Sequence, residues 1–196
     1  MSWIEAVAVG FGIVSVYLSV RQNIWSWPTA IVNVTLYVVV FFRARLYADM
    51  GLQVVYIALN AYGWYQWLYG GKGRTALTVS RTSPRLGALL VGVGGVTAVV
   101  LGTLLARFTD AAIPYLDSLT TSTSLVAQWM MSRKKLENWL VWVAVDVVYV
   151  GMFISRELYL TAGLYAVFLV LAAKGYLEWR RAPSLLHGGA RPAPAA

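Results

Sequence analysis

The sequence predicts an all-α integral membrane protein: seven transmembrane helices laid out as two parallel three-helix repeats around one linking helix (3+1+3). Three observations carry that reading. Of 196 residues 59% are hydrophobic and only 12% charged, with a mean hydropathy of +0.64. Seven apolar runs reach or approach bilayer length, and the chain aligns with itself, without gaps, when Arg21 is set on Arg133. A soluble domain of this size could not cover its surface with so few charges, whereas a lipid-facing surface removes that demand.

The first run begins at once with Trp3-Ile4 around Glu5 and lacks a basic leader, so it reads as a retained span. The runs are residues 3–20, 28–42, 48–69, 86–106, 115–132, 138–154 and 158–177. Each is close to the ~20 residues that cross a hydrocarbon core. The second and sixth are short, and Trp25, Trp27 and Trp139 are read as interfacial residues that lengthen them. Pro28 falls in a first helical turn, which tolerates it. Residues 182–196, rich in Pro, Ala and Gly, are expected to form a disordered tail.

Orientation follows from the basic residues. Twelve of sixteen lie on the side reached after the first, third, fifth and seventh spans, leaving Arg43, Arg45, Arg107 and Arg156 on the other. The positive-inside rule then puts the N-terminus outside and the C-terminus in the cytoplasm of a multi-pass inner-membrane protein. The net charge of +8 is assigned to loops and anionic headgroups of the lipid bilayer, not to nucleic acid.

The internal alignment matches Arg21 with Arg133, Trp27 with Trp139, Tyr37 with Tyr149, Phe41 with Phe153, Gly63 with Gly175 and Trp67 with Trp179. Residues 1–69 form one unit and 111–181 the second; 70–110 supply a loop and the linking helix, and 182–196 the tail. Equivalent spans are an even number of crossings apart, so the units share one orientation. Such parallel repeats are related by an axis along the membrane normal, and carriers of this kind bind substrate near mid-membrane between them.

Polar side chains at that depth are costly and mark a pathway. In the third span Gln53, Tyr56, Asn60, Trp64 and Trp67 share a stripe at steps of three and four. In the sixth Trp139, Trp142, Asp146 and Tyr149 do the same. The fifth begins Asp117-Ser118 and continues through a Ser/Thr run to Gln128, with Asp117, Thr121, Ser124 and Gln128 on one face. The second adds Asn33 and Thr35.

Amides also join membrane helices by hydrogen bonds, and hydroxyls bond back to their own backbone. Asp146 at mid-helix costs roughly 2.5–3.5 kcal/mol on the insertion scale. Three roles fit it: a buried structural bond, for instance to Asn60; proton coupling; or contact with a sugar hydroxyl or a cationic ring. There is no cysteine, the one histidine (His187) lies in the tail, and no hydrolase, metal-site or nucleotide motif occurs. The chain is therefore read as a non-enzyme without a cofactor, whose groups suit recognition of a small molecule. Indole faces can sandwich a flat or cationic ring while amides hold polar substituents.

Several stretches resemble the PnuC family of nicotinamide riboside transporters: Ser2 to Val7, Asn33 to Tyr47, Asn60 to Trp67, Asp117-Ser118, Arg133 to Trp139, and Trp142 to Asp146. The resemblance covers about residues 2–180. It implies a 3+1+3 fold distantly similar to the SWEET sugar carriers, and a homotrimer. It also implies uptake of nicotinamide riboside by facilitated diffusion, with trapping by cytoplasmic phosphorylation. The polar inventory suits that molecule, a cationic pyridinium with a carboxamide and a ribose. The expected substrate contacts are Gln53, Asn60, Trp64, Thr121, Ser124, Gln128, Trp142, Asp146 and Tyr149. Some members carry Asn where this chain has Asp146, and relatives carry thiamine, riboflavin or deoxynucleosides. A passive pore and a membrane enzyme are the rival classes; saturation would exclude the first, and the second lacks a reactive constellation.

Overall fold

The computed structural model describes residues 3–43, 45, 47–109 and 113–186. Among them are seven long helices: α1 (Trp3–Val20), α2 (Ser26–Arg43), α3 (Tyr47–Tyr69), α4 (Pro84–Phe108), α5 (Pro114–Ser132), α6 (Asn138–Ser155) and α7 (Tyr159–Arg180). These match the seven apolar runs, with ends displaced by a few residues. A short turn, α8 (Pro183–Leu186), follows. Here the expected tail differs: Ala182 is buried and Ser184 Oγ donates to Val79 O at 2.8 Å, so ordered chain continues past residue 181. His187 and the rest of the tail lie outside the described residues.

α1, α2, α4, α6 and α7 are long and apolar enough to cross a membrane, which makes this a multi-span membrane fold. α3 and α5 fall short on composition, and the reason is chemical. They carry Gln53, Asn60 and Gln66, and Asp117, the Ser/Thr run and Gln128.

The packing partners close a ring. α1 packs on α2, α2 on α3, α3 on α5, α5 on α6, α6 on α7, and α7 back on α1. α4 packs on α5 and presents Leu89, Val91, Val96 and Val99 outward. Ser122 Oγ on α5 donates to Gly94 O at 2.6 Å, fastening α4 to the ring.

Local geometry recurs at positions that the internal alignment pairs. Trp27 meets Trp67 edge-to-face at 5.2 Å, and Trp139 meets Trp179 at 5.3 Å. Tyr37 stacks on Phe41 at 5.7 Å, and Tyr149 on Phe153 at 5.9 Å. Gln22 and Lys134 are both left-handed (φ 54° and 47°), as are Arg45 and Glu157 (59° and 58°). Gly63 and Gly175 lie under the rings of Trp27 and Trp139, where a β-carbon would overlap the indole.

The core sits at one end of the ring, the end bearing most of the basic loops. Trp27, Trp67, Trp139 and Trp179 form its centre with Val20, Met131 and Leu136. Trp27 and Trp139, expected at the interface, are instead 2% and 1% exposed; Trp25, at 65%, keeps the expected position. The glycines explain the difference, because they let each indole slide beneath the facing helix. Trp67 Nε1 donates to Met131 O at 3.1 Å, and Trp179 Nε1 donates to Ser19 O at 3.1 Å and Val20 O at 3.2 Å. Each bond runs from one half of the chain to the other.

Loop 75–83 lies across this end. Ser80 N donates to Lys134 O at 3.0 Å and Leu136 N to Ser80 O at 2.9 Å. Glu137 Oε2 accepts from both Thr82 N and Thr82 Oγ1 at 2.7 Å. Lys134 Nζ sits 4.4 Å from the centre of the Trp67 ring. Burial pushes its ammonium down to about 8.

Candidate functional site: a polar-sided cavity within the helix ring

The ring encloses a cavity of about 1450 Å³ that runs from the tryptophan layer towards the opposite end. Trp27 and Trp139 form its floor; Arg45, Asp49, Thr109 and Asp117 line the far end.

α3, α5 and α6 build one wall. α5 starts with Pro114 in its first turn, a position without need of an amide hydrogen, and Asp117 there complements the helix dipole. The helical period then turns Thr121, Ser124 and Gln128 into the cavity. From α3 come Gln53, Tyr56 and Asn60, and from α6 Trp142, Asp146 and Tyr149. Gln128 Nε2 donates to Asn60 Oδ1 at 2.8 Å, fixing the two amides across the α3–α5 junction. The hydroxyls of Tyr56 and Tyr149 lie beside Ser124.

Asn60, Ser124 and Asp146 are 2%, 5% and 4% exposed. The bond from Asp146 to Asn60 that the sequence allowed does not form, since Asn60 pairs with Gln128. Among the described residues the Asp146 carboxylate has no hydrogen-bond or ion-pair partner.

Eight of the nine expected contacts thus line one cavity: Gln53, Asn60, Thr121, Ser124, Gln128, Trp142, Asp146 and Tyr149. Trp64 does not. It is 38% exposed and outside the cavity wall, because at that level Gly63 takes the inward position beneath Trp27. Its expected stacking role does not fit this placement. Thr35 faces outward and donates to its own helix at Ile31 O, and Asn33 Nδ2 is spent on Ala8 O, joining α1 to α2.

The sequence reading passed over the facing wall, to which α7 gives Tyr165 and Phe168 and α2 gives Tyr37 and Phe41. A signal for them existed. The alignment that sets Arg21 on Arg133 also sets Gln53 and Tyr56 on Tyr165 and Phe168. The same operation pairs Asn60 with Ala172, and pairs Thr121, Ser124 and Gln128 with Val9, Gly12 and Val16. Trp142 and Asp146 pair with Ala30 and Val34. All of these partners line the cavity too. At these aligned positions the chemistry differs between the walls: amides, hydroxyls and a carboxylate face aliphatic and aromatic groups, while Ser15, Asn33 and Thr161 add polar groups elsewhere on the facing side. Tyr165 carries that aromatic side, 4.7 Å from Tyr149 and 5.2 Å from Phe153. Among the described residues the lining offers hydrogen-bonding and aromatic groups suited to recognition.

A family profile described as "Nicotinamide mononucleotide transporter" matches residues 2–181. The chain is 29% identical to the nicotinamide riboside transporter PnuC of Escherichia coli over 204 residues, spanning 91% of this chain and 85% of that one. It is 25% identical to the riboflavin/roseoflavin transporter RibM of Streptomyces davaonensis, spanning 90% and 84%. Among solved structures, the crystal structure of a vitamin B3 transporter PnuC superposes with a TM-score of 0.73 at 24% identity, covering 92% of this chain and 81% of that one. That likeness places the fold in the same class.

Proposed function

Because this chain belongs to the nicotinamide mononucleotide transporter family, we propose that it carries nicotinamide riboside across the membrane by facilitated diffusion. The observation that carries the reading is the Asn60–Gln128 amide pair in one cavity with Trp142 and the unpartnered Asp146. Asn60, Gln128 and Gln53 hold the carboxamide and ribose, Trp142 packs on the pyridinium, and Thr121, Ser124 and Tyr149 bond the remaining hydroxyls. Bound equally well from either side, the substrate moves down its gradient, and phosphorylation in the cytoplasm keeps it there.

All seven long helices span the bilayer in this reading, as two three-helix units about a pseudo-two-fold axis with α4 as the linker. The geometries that recur between the two halves support it, as do the reciprocal Trp67–Met131 and Trp179–Ser19 bonds. α3 and α5 tolerate their polar groups because those groups face the cavity. The units 1–69 and 111–181 rock against each other to expose the cavity alternately. The tryptophan layer is the cytoplasmic closure, with the N-terminus outside and the C-terminus inside. The working assembly is a homotrimer.

A second substrate is favoured by one observation, the similarity to a riboflavin/roseoflavin transporter. Labelled nicotinamide riboside uptake into proteoliposomes, with unlabelled riboflavin, thiamine and nicotinamide riboside as competitors, decides between them. The expected result is saturable uptake displaced best by nicotinamide riboside. Unsaturable uptake, or stronger displacement by riboflavin or thiamine, contradicts the proposal.

A further inference from the structure

On α6, Trp142 and Asp146 are one helical turn apart and both line the cavity. Their repeat partners on α2, Ala30 and Val34, also line it but offer neither an indole nor a charge. The pair therefore exists on one wall only. Asp146 is 4% exposed and has no protein partner among the described residues. Its carboxylate opens on the cavity, and a substrate that fills the cavity takes it out of water, at a cost of several kcal/mol that a cationic substrate offsets. An indole beside it adds attraction for a flat cation. Among the described residues, the charged side chains lining the cavity are Asp49, Asp117, Asp146 and Arg45, an acidic set in which only Asp146 lies at depth.

We infer that Asp146 is the specificity determinant of this carrier: it selects substrates whose flat ring carries a fixed positive charge and orients that ring against α6. Resting on the nicotinamide riboside reading, this adds a preference by charge and a single binding orientation. The ring nitrogen lies at the Trp142–Asp146 turn, and the polar remainder points to Gln53, Asn60 and Gln128. A neutral tricyclic ring gains nothing from the carboxylate and leaves it buried and unpaired.

The probe is a pair of matched substrates: nicotinamide riboside and its 1,4-dihydro form, which keeps carboxamide and ribose but has a neutral ring. Uptake of each into proteoliposomes is measured for the native protein, Asp146→Asn and Asp146→Glu. The native protein should prefer the cation by about tenfold or more in half-saturation concentration. Asp146→Asn should erase that preference, weakening the cation while shifting the neutral form by less than about twofold, within the range expected for a lost charge rather than a lost shape. Asp146→Glu should restore it. Equal handling of the two forms by the native protein overturns the inference, whether or not the variants insert. Parallel loss of both forms in Asp146→Asn overturns it too, since that marks a structural carboxylate. In both cases the uptake proposal stands; no uptake of the cation by the native protein defeats both.

Discussion

The two indole bonds that cross between the halves set how readily the tryptophan layer opens. Trp179 Nε1 reaches Ser19 O and Val20 O, and Trp67 Nε1 reaches Met131 O. Replacing either indole with phenylalanine keeps an aromatic ring and deletes the donor. Two of the three carbonyls keep a donor, Ser19 O from Gln22 N at 3.0 Å and Met131 O from Lys134 N at 3.0 Å, while Val20 O gives up its indole bond. The donor's own contribution is an ordinary net hydrogen bond of about 1 kcal/mol, a lower bound for Trp179→Phe because Val20 O is left without its donor. That shifts the open-to-closed ratio roughly fivefold for one variant. The two bonds are separate, so the double variant shifts it roughly 25-fold if they add.

The chain has no cysteine, which makes an accessibility assay direct. With Ser124→Cys as the reporter in the cavity wall, an impermeant maleimide is applied from the basic face of oriented vesicles. The labelling rate should rise by these factors in Trp179→Phe and in the double variant, while labelling from the opposite face does not rise. An unchanged rate, or an equal rise from both faces, refutes the latch reasoning, the second because it signals general loosening.

Gly63→Ala and Gly175→Ala should each cost about 1–3 kcal/mol by forcing the indole out of place, seen as a lower melting temperature in detergent. Gly51→Ala and Gly163→Ala, where a β-carbon meets open space, should be neutral or stabilising. Trp64→Ala should retain saturable uptake, whereas Trp142→Ala should raise the half-saturation concentration about tenfold or more by removing the stacking face; uptake lost in the first and kept in the second would reverse the assignment. Lys134 gives a pH signature. Its folded value of about 8 lies below the unfolded value of 10.5, so the native state releases the proton first. Stability should be flat below pH ~8 and rise between there and ~10.5, as the unfolded chain alone stays protonated. Lys134→Met should abolish that rise in melts taken across the window.

Helix number and extent were legible because apolar run length is a composition signal that needs no partner. The recurrence of the Trp27–Trp67 geometry at Trp139–Trp179 was legible for a different reason: tryptophan, tyrosine and glycine are rare enough for matches to carry weight. The polar wall followed from periodicity, since Asn60, Gln128 and Asp146 each sit on a stripe whose burial in lipid would be costly. Position along a stripe was less reliable. Trp64 shares the stripe of Asn60, yet the inward place at its level belongs to Gly63, and only the Trp27 ring from another helix reveals that. Trp27 and Trp139 misled in the same way, because an indole at a helix end suits both an interface and a core, and the facing glycine decides. The aromatic wall of Tyr165 and Phe168 was within reach of the repeat operation, since those residues stand where Gln53 and Tyr56 stand in the other half.

The account depends on the amide pair joining the two halves of the cavity. Calorimetric titration of nicotinamide riboside into the purified protein, and into Asn60→Ala and Gln128→Ala, reads that dependence without transport. The expected result is saturable binding to the native protein, weakened about tenfold or more in both variants, which still melt cooperatively. Undiminished affinity in correctly folded Asn60→Ala and Gln128→Ala would place the substrate elsewhere and contradict the account.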